Sequence, residues 1–489
     1  MYWKCGVAGL ALLTLPACTQ APPPAAPPSA STAAATPTKD FAGSPAQTPA
    51  QASIEEPPGA DSHDVRVQFH HDDFTGALKQ ARSEGKLLFV DAWAEWCHTC
   101  KSMQAFVFTE PALVPFAERI VFAALDTDKP ENAAFLEKYE VRVWPSLFAI
   151  DPATQGLVGF WPGSASLEEL RDFLTSSLQA QEALGQSKLV PDSPLALLIR
   201  ARAAHTAGDA EGALRLYDRT LTRAPRDWPR TSEVLHGKLW ALAQTRRTRE
   251  CIAFGEQHLT QVTGTSLPGF FASIFLDCLE HEPDGSRRSA LRRTIIAHLS
   301  SLLANPPPSM SADDREDTWR IVAEAWAAEG DAAEARAAQQ RRLEIMEHAA
   351  ERADSPSAAA TFDAGRANAY VALGRGEEAI ALLRARMAEL PDSYEPPARL
   401  AQVLEALGKT SDALAAIDVA LARAYGPRRL RYLEQKARLL GALGRVDEQI
   451  ATLEAEVQGY RELRGGHASM GRQRAAEARL ERARQTARR

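Results

Sequence analysis

Hydrophobic positions change period along this chain of 489 residues. Val65–Phe69 alternates apolar with polar, as a half-buried strand does. Asp72 or Asp73 can cap a helix expected to run to Arg82. Lys86–Trp93 is a continuous apolar run, the pattern of a strand buried on both faces. A helix is expected to begin at about Cys97. Ile120–Leu125 reads as a second buried strand and Asn132–Tyr139 as a helix. Ser146–Ile150 and Leu157–Phe160 read as strands, and Ser166–Leu178 as a closing helix. Ser166 is its expected N-cap, with Glu168 and Glu169 in the first turn. This order implies a mixed sheet covered by helices. Beyond about residue 190 strand patterning stops, and Ala, Leu, Arg and Glu dominate.

That second part carries a period. Gly330, Gly374, Gly408 and Gly444 each fall at a helix–turn–helix junction. Five residues after the first three come Ala335, Ala379 and Ala413, and Gln449 takes that place after Gly444. Gly374 to Gly408 is 34 residues, and Gly408 to Gly444 is 36. An earlier unit has Gly208, Ala213, Tyr217 and Pro225, the spacing also seen at Gly374, Ala379, Leu383 and Pro391. The series resembles tetratricopeptide (TPR) repeats, which implies an all-α solenoid over 190–465. Units are expected near 194–227, 316–349, 360–393, 394–427 and 430–463. Residues 232–305 read as helical but degenerate, and a spacer falls at Asp354–Ala359. The resemblance implies a protein or peptide partner in the repeat groove. The bland alternative is a spacer or an intramolecular platform. Residues 466–489 read as a basic helical tail with a solvated charged face; nine Arg and three Glu lie within 461–489.

The N-terminus reads as an export signal. Lys4 precedes an apolar stretch from Gly6 to Ala17, too short to span a bilayer. Leu15-Pro16-Ala17-Cys18 resembles the bacterial lipobox, so 1–18 reads as a lipoprotein-like signal, which implies cleavage before Cys18 and lipidation of Cys18 as the new first residue. Plain secretion is the alternative. Residues 19–61 are rich in Ala, Pro, Ser and Thr and cannot offset their ordering entropy by burial, so they read as a tether. The implied location is the periplasmic side of a bacterial membrane, with the membrane met only through a lipid anchor. Net charge is −7, concentrated in residues 62–180, which argues against nucleic acid as a partner. Six cysteines exclude a disulfide-dense scaffold.

The candidate chemistry lies in Val90-Asp91-Ala92-Trp93-Ala94-Glu95-Trp96-Cys97-His98-Thr99-Cys100-Lys101. A CxxC after a buried strand can close a small disulfide at a helix N-terminus, where free N–H groups stabilise thiolate. Cys97 is the expected nucleophile and Cys100 the resolving thiol. Asp91, six residues upstream on the strand, is placed to take the proton of Cys100; burial would raise its pKa. A structural zinc site wants four ligands, and no second CxxC or spaced His pair accompanies this one, so no metal is expected. His70-His71-Asp72-Asp73 reads as a strand end followed by helix caps. Cys251 and Cys278 read equally well as buried thiols or as an inter-helix disulfide.

Residues 62–182 resemble a thioredoxin fold, and in particular the C-terminal domain of DsbD-like thiol:disulfide interchange proteins. The resemblance rests on the VDAWAEWCHTCK run, Phe108-Thr109-Glu110-Pro111 and Trp144-Pro145-Ser146. It implies that Pro145 is cis and packs beside a Cys97–Cys100 disulfide. Trp96, His98, Trp144 and Pro145 then border the client site. The implied function is an exported thiol:disulfide oxidoreductase acting on client disulfides, with no cofactor beyond the dithiol. Electrons would come from a membrane thiol donor of the DsbD type. His98-Thr99 departs from the Gly-Pro of reducing thioredoxins, so an oxidase or isomerase is the alternative direction. A scaffold whose repeats do the work is the alternative class.

Overall fold

Five strands form one mixed sheet in the order β1-β3-β2-β4-β5. They are β1 (Phe69–His71), β2 (Leu87–Trp93), β3 (Ile120–Asp126), β4 (Ser146–Ile150) and β5 (Leu157–Pro162). β1, β2 and β3 run parallel, β4 runs antiparallel to β2, and β5 runs antiparallel to β4. Helices α1 (Phe74–Glu84), α2 (His98–Phe106), α3 (Ala133–Lys138) and α4 (Leu167–Gly185) complete a thioredoxin-like fold. The computed structural model describes residues 66–185 and 192–488. The expected signal, tether and lipidation site at Cys18 lie outside the described residues.

β2 is central and buried along its length, as its unbroken apolar run requires. Its side chains alternate. Leu87 and Phe89 join Met103 and Phe108 of the α2 side, while Leu88, Val90 and Ala92 face Phe135 and Phe148. Asp91 shares the parity of Phe89 and so faces α2. β1 starts at Phe69, later than the alternation from Val65 suggested, because the ladder with β3 pairs Phe69 with Phe122 and His71 with Ala124. Val67 is buried outside the ladder. Asp73 caps α1 through Gly76 N–H, at 2.8 Å. Ser166 and Glu169 form a reciprocal capping box at the start of α4. α4 runs past the expected Leu178 to Gly185.

The remaining helices follow largely in pairs. These are α5 (Pro194–Thr206) with α6 (Ala210–Arg223), α7 (Thr231–Gln244) with α8 (Thr248–His258), and α9 (Leu267–Leu279) with α10 (Gly285–Ala304). Next come α11 (Ala312–Ala328) with α12 (Ala332–Glu351), a short α13 (Pro356–Ala360), and α14 (Asp363–Ala372) with α15 (Gly376–Glu389). α16 (Glu395–Ala406) with α17 (Thr410–Leu421), α18 (Gly426–Ala442) with α19 (Val446–Glu462), and α20 (Met470–Ala487) close the chain. The periodic glycines sit between paired helices in the left-handed conformation, from φ 70° at Gly444 to 83° at Gly208. Arg246 holds the equivalent turn between α7 and α8 at φ 57°. The expected spacer overlaps α13, which lies against α2. Cys251 on α8 and Cys278 on α9 are disulfide-bonded, resolving the two readings of that pair. α20 packs on α19 and buries Ala476, Leu480 and Ala483; Arg474, Arg482 and Arg484 are exposed, while Arg479 pairs with the buried Glu456 of α19.

The described residues form one compact unit. One apolar core runs from Phe89 and Phe122 of the sheet, through Phe173 of α4, to Leu198, Phe271 and Val322 of the repeat helices. No described helix is long and apolar enough to cross a membrane.

Candidate functional site

Strand β2 ends at Trp93, and the next turn delivers Cys97 to the N-cap of α2. The Cys97 Sγ accepts the Cys100 backbone N–H at 3.0 Å. That is the donor arrangement that stabilises a thiolate at a helix start. Cys97 and Cys100 are joined as a disulfide. Cys97 is 5 % exposed and Cys100 fully buried, so both are enclosed and Cys97 is the nearer to the surface.

Asp91 is fully buried. Gln104 Nε2 donates to its Oδ2 at 3.3 Å, while Oδ1 has no partner. Cys100 and Gln104 lie four apart on one face of α2, so Asp91 sits under the face that carries the Cys100 sulfur. Burial pushes the Asp91 carboxyl up to about 7, opposed by the Gln104 hydrogen bond. A carboxyl that titrates there can exchange protons near neutral pH.

The other expected site residues converge on the same sulfurs. Trp93, Trp96 and Trp144 pack around Ala94, Cys97 and Cys100. The Trp96 and Trp144 rings lie 5.1 Å apart. The Trp144–Pro145 peptide is cis. Trp144 Nε1 donates to Thr127 Oγ1 at 2.7 Å, and Trp96 Nε1 donates to Asp128 Oδ2 at 2.8 Å. Burial raises Asp128, opposed mainly by Arg428; burial also raises Asp126 to about 6.

The repeats supply a second wall that no local sequence signal announces. Arg428 of α18 lies 3.9 Å over the Trp96 ring. Arg399 of α16 donates to the Trp96 carbonyl at 3.1 Å. The Tyr425 hydroxyl donates to Asp126, and His467 meets the Thr127 carbonyl at 2.6 Å. At Gly426 a Cβ would fall 1.9 Å from the Asp128 carbonyl oxygen, so glycine permits α18 to start that close. On the His98 side, α11 brings Asp313 within 3.9 Å of Nε2. His98 also lies with Glu316 and Asp317, their ligand atoms within 4.8 Å of one another. Arg342 pairs with Glu316 and Arg320 with Asp317, so a cation there would displace existing partners. Between α2 and α14–α16 a small cleft of about 30 Å³ is lined by Trp96, His98, Lys101, Arg386, Glu395 and Arg399, among others.

Fold and site together define a thioredoxin-like domain with a redox-type CxxC pair, built against a helical repeat array. A thioredoxin-like family profile matches residues 70–152. The chain belongs to the thioredoxin family: it is 32 % identical over 105 residues to thioredoxin of Buchnera aphidicola, covering 21 % of this chain and 91 % of that protein. It is also 32 % identical over 93 residues to the thiol:disulfide interchange protein DsbD of Pseudomonas fluorescens, 17 % of this chain and 16 % of that one. Protein disulfide-isomerase 1 of Dictyostelium discoideum is 29 % identical over 92 residues, 19 % of this chain and 25 % of its own. The chain therefore spans a quarter or less of these two longer relatives. Among solved structures, a tetratricopeptide repeat protein from Parabacteroides merdae covers 59 % of this chain and 97 % of its own, at 10 % identity and TM-score 0.38.

Proposed function

We propose that this protein is an exported, lipid-anchored thiol:disulfide oxidoreductase that reduces client disulfides. The Cys97 thiolate attacks one client sulfur, and the other client sulfur leaves as a thiolate and takes up a proton. Cys100 loses its proton to Asp91 and attacks the Cys97 sulfur of the mixed disulfide. The second client thiolate leaves, and Cys97–Cys100 is left oxidised. A membrane thiol donor of the DsbD type returns two electrons. The observation that carries the reading is Cys97 as N-cap of α2, joined to Cys100 above the buried Asp91. Export and anchoring are supported by the signal-like N-terminus and the lipobox-like Leu15–Cys18 run.

A client disulfide approaches Cys97 from the side of His98, whose side chain is 36 % exposed. The repeats then act chiefly as the platform that frames this approach. The contacts of Arg399, Tyr425, Arg428 and His467 with the CxxC face favour that role over a wholly separate partner groove.

The full chain, with dithiothreitol as donor and a disulfide-bonded peptide as client, is expected to turn over. Cys97→Ser is expected to abolish turnover, and full activity in that variant contradicts the mechanism. Thiol trapping of the Cys97–Cys100 state sets the direction. A potential near about −270 mV is expected, whereas one near about −120 mV makes the protein an oxidant.

A further inference from the structure

The residue just before the dithiol is held by the repeat array. The Trp96 indole packs with Trp144 against the cluster of Ala94, Cys97 and Cys100, and the two rings lie 5.1 Å apart. Asp128 accepts the indole N–H at 2.8 Å. The Arg428 guanidinium of α18 lies 3.9 Å over the ring. Arg428 is also 5.9 Å from the ring of Tyr432, one turn along the same helix, and its charge acts on the Asp128 carboxylate. Tyr432 in turn donates to Glu395 of α16 at 3.0 Å. Arg399 of α16 donates to the Trp96 carbonyl at 3.1 Å, and Ser393 donates to Glu95 at 3.0 Å. Under this cover Cys97 is 5 % exposed. The cleft alongside has about 30 Å³, room for water and not for a peptide.

We propose that Arg428 is a positioning residue for thiol exchange: it pins the Trp96 indole as a hood over the dithiol, so that the repeats set how freely the Cys97 sulfur is reached. This inference rests on Cys97–Cys100 being a working dithiol. Exchange needs an incoming sulfur in contact with the Cys97 Sγ, so access enters the rate alongside the thiolate fraction. Tryptophan is the ring that gains most from a cation on its face, and the gain rises as the pair is desolvated. Arg428 is half-buried, so each opening of the hood costs that contact. The same guanidinium faces the carboxylate that takes the indole N–H, which ties both holds on Trp96 to one side chain of α18. α18 can stand this close because Gly426 leaves room for the Asp128 carbonyl.

The test uses the full chain, reduced, with alkylation of Cys97 by iodoacetamide followed by peptide mass spectrometry across pH. At high pH, where Cys97 is wholly thiolate, the rate reaches a plateau that reports access. Arg428→Ala is expected to raise that plateau by about two- to fivefold, the scale of one cation–π contact. An unchanged or lower plateau overturns the inference. So does a shifted pH midpoint with the wild-type plateau, because Arg428 would then act by charge alone. Trp96→Ala removes the hood, and Arg428→Ala is expected to add nothing in that background, since coupled residues are non-additive. An equal further gain there overturns the inference. Cys251 and Cys278, buried in the repeats, report general loosening in the same digest. Their labelling is expected to stay at the wild-type level, and a rise in step with Cys97 overturns the inference. Should Arg428→Ala fail to fold, Arg428→Met keeps the packing of the stem and removes the cation. The same rise is then expected, and no change overturns the inference. The alkylation readout needs no client. Peptide turnover by wild type together with an unchanged plateau in the variants therefore sinks this inference alone, whereas wild type without turnover sinks the functional reading.

Discussion

Asp91 carries a cost that its position explains. It is fully buried within the central strand, with one oxygen unpartnered and the other held by Gln104. Below about pH 4 folded and unfolded chains both hold its proton. Between about 4 and the folded value of about 7, the folded chain keeps a proton that the unfolded chain has lost. Stability therefore falls as pH rises through that window. Asp126 and Asp314, both raised to about 6 by burial, add to the same slope. Asp91→Asn is expected to make the chain more stable relative to wild type at pH 7.5 than at pH 4.5, by about 2–4 kcal/mol. Denaturant unfolding at the two pH values measures it, and an equal difference at both contradicts the burial argument. Asp91 was legible in the sequence because it interrupts an apolar run six residues before the CxxC. Gln104 was within reach of the same logic, one helical turn beyond Cys100, but a lone glutamine gives no signal until the helix face is known.

Helix pairing shows where periodicity carries information and where it fails. The units around Gly208, Gly374, Gly408 and Gly444 were readable because each turn needs a positive φ, and glycine meets it without strain. The α7–α8 pair uses the same turn with Arg246, so its period vanished from the sequence while its geometry persisted. Arg246→Gly is expected to stabilise the chain by about 0.5–1 kcal/mol, since a side chain in the left-handed region costs about that much or more. A denaturation midpoint that falls instead contradicts the assignment of strain to that turn. The first strand was misplaced for a related reason. Alternation from Val65 marks burial, whereas the ladder that defines β1 is set by its pairing with β3. Cys251 and Cys278 could not be paired from spacing, because their contact depends on how α8 stacks on α9.

At the scale of the whole molecule, one face of the sheet shares an apolar core with the repeats as far as α12, the later repeats have a core of their own, and the repeats wall in the dithiol. The thioredoxin-like fold and the cysteine roles follow from local patterns. Asp313, Arg399 and Arg428 do not, because their partners are two to three hundred residues away and long-range contacts leave no trace in a single sequence. For the proposed function to hold, these enclosed cysteines have to perform exchange. The most direct measurement is capture of the exchange intermediate by the full chain. Cys100→Ser, reduced and mixed with a disulfide-bonded peptide, is expected to accumulate a mixed disulfide at Cys97, located by non-reducing mass spectrometry. No adduct at Cys97, or equal adduct formation when Cys97 is also replaced by serine, would contradict the assignment of Cys97 as the nucleophile.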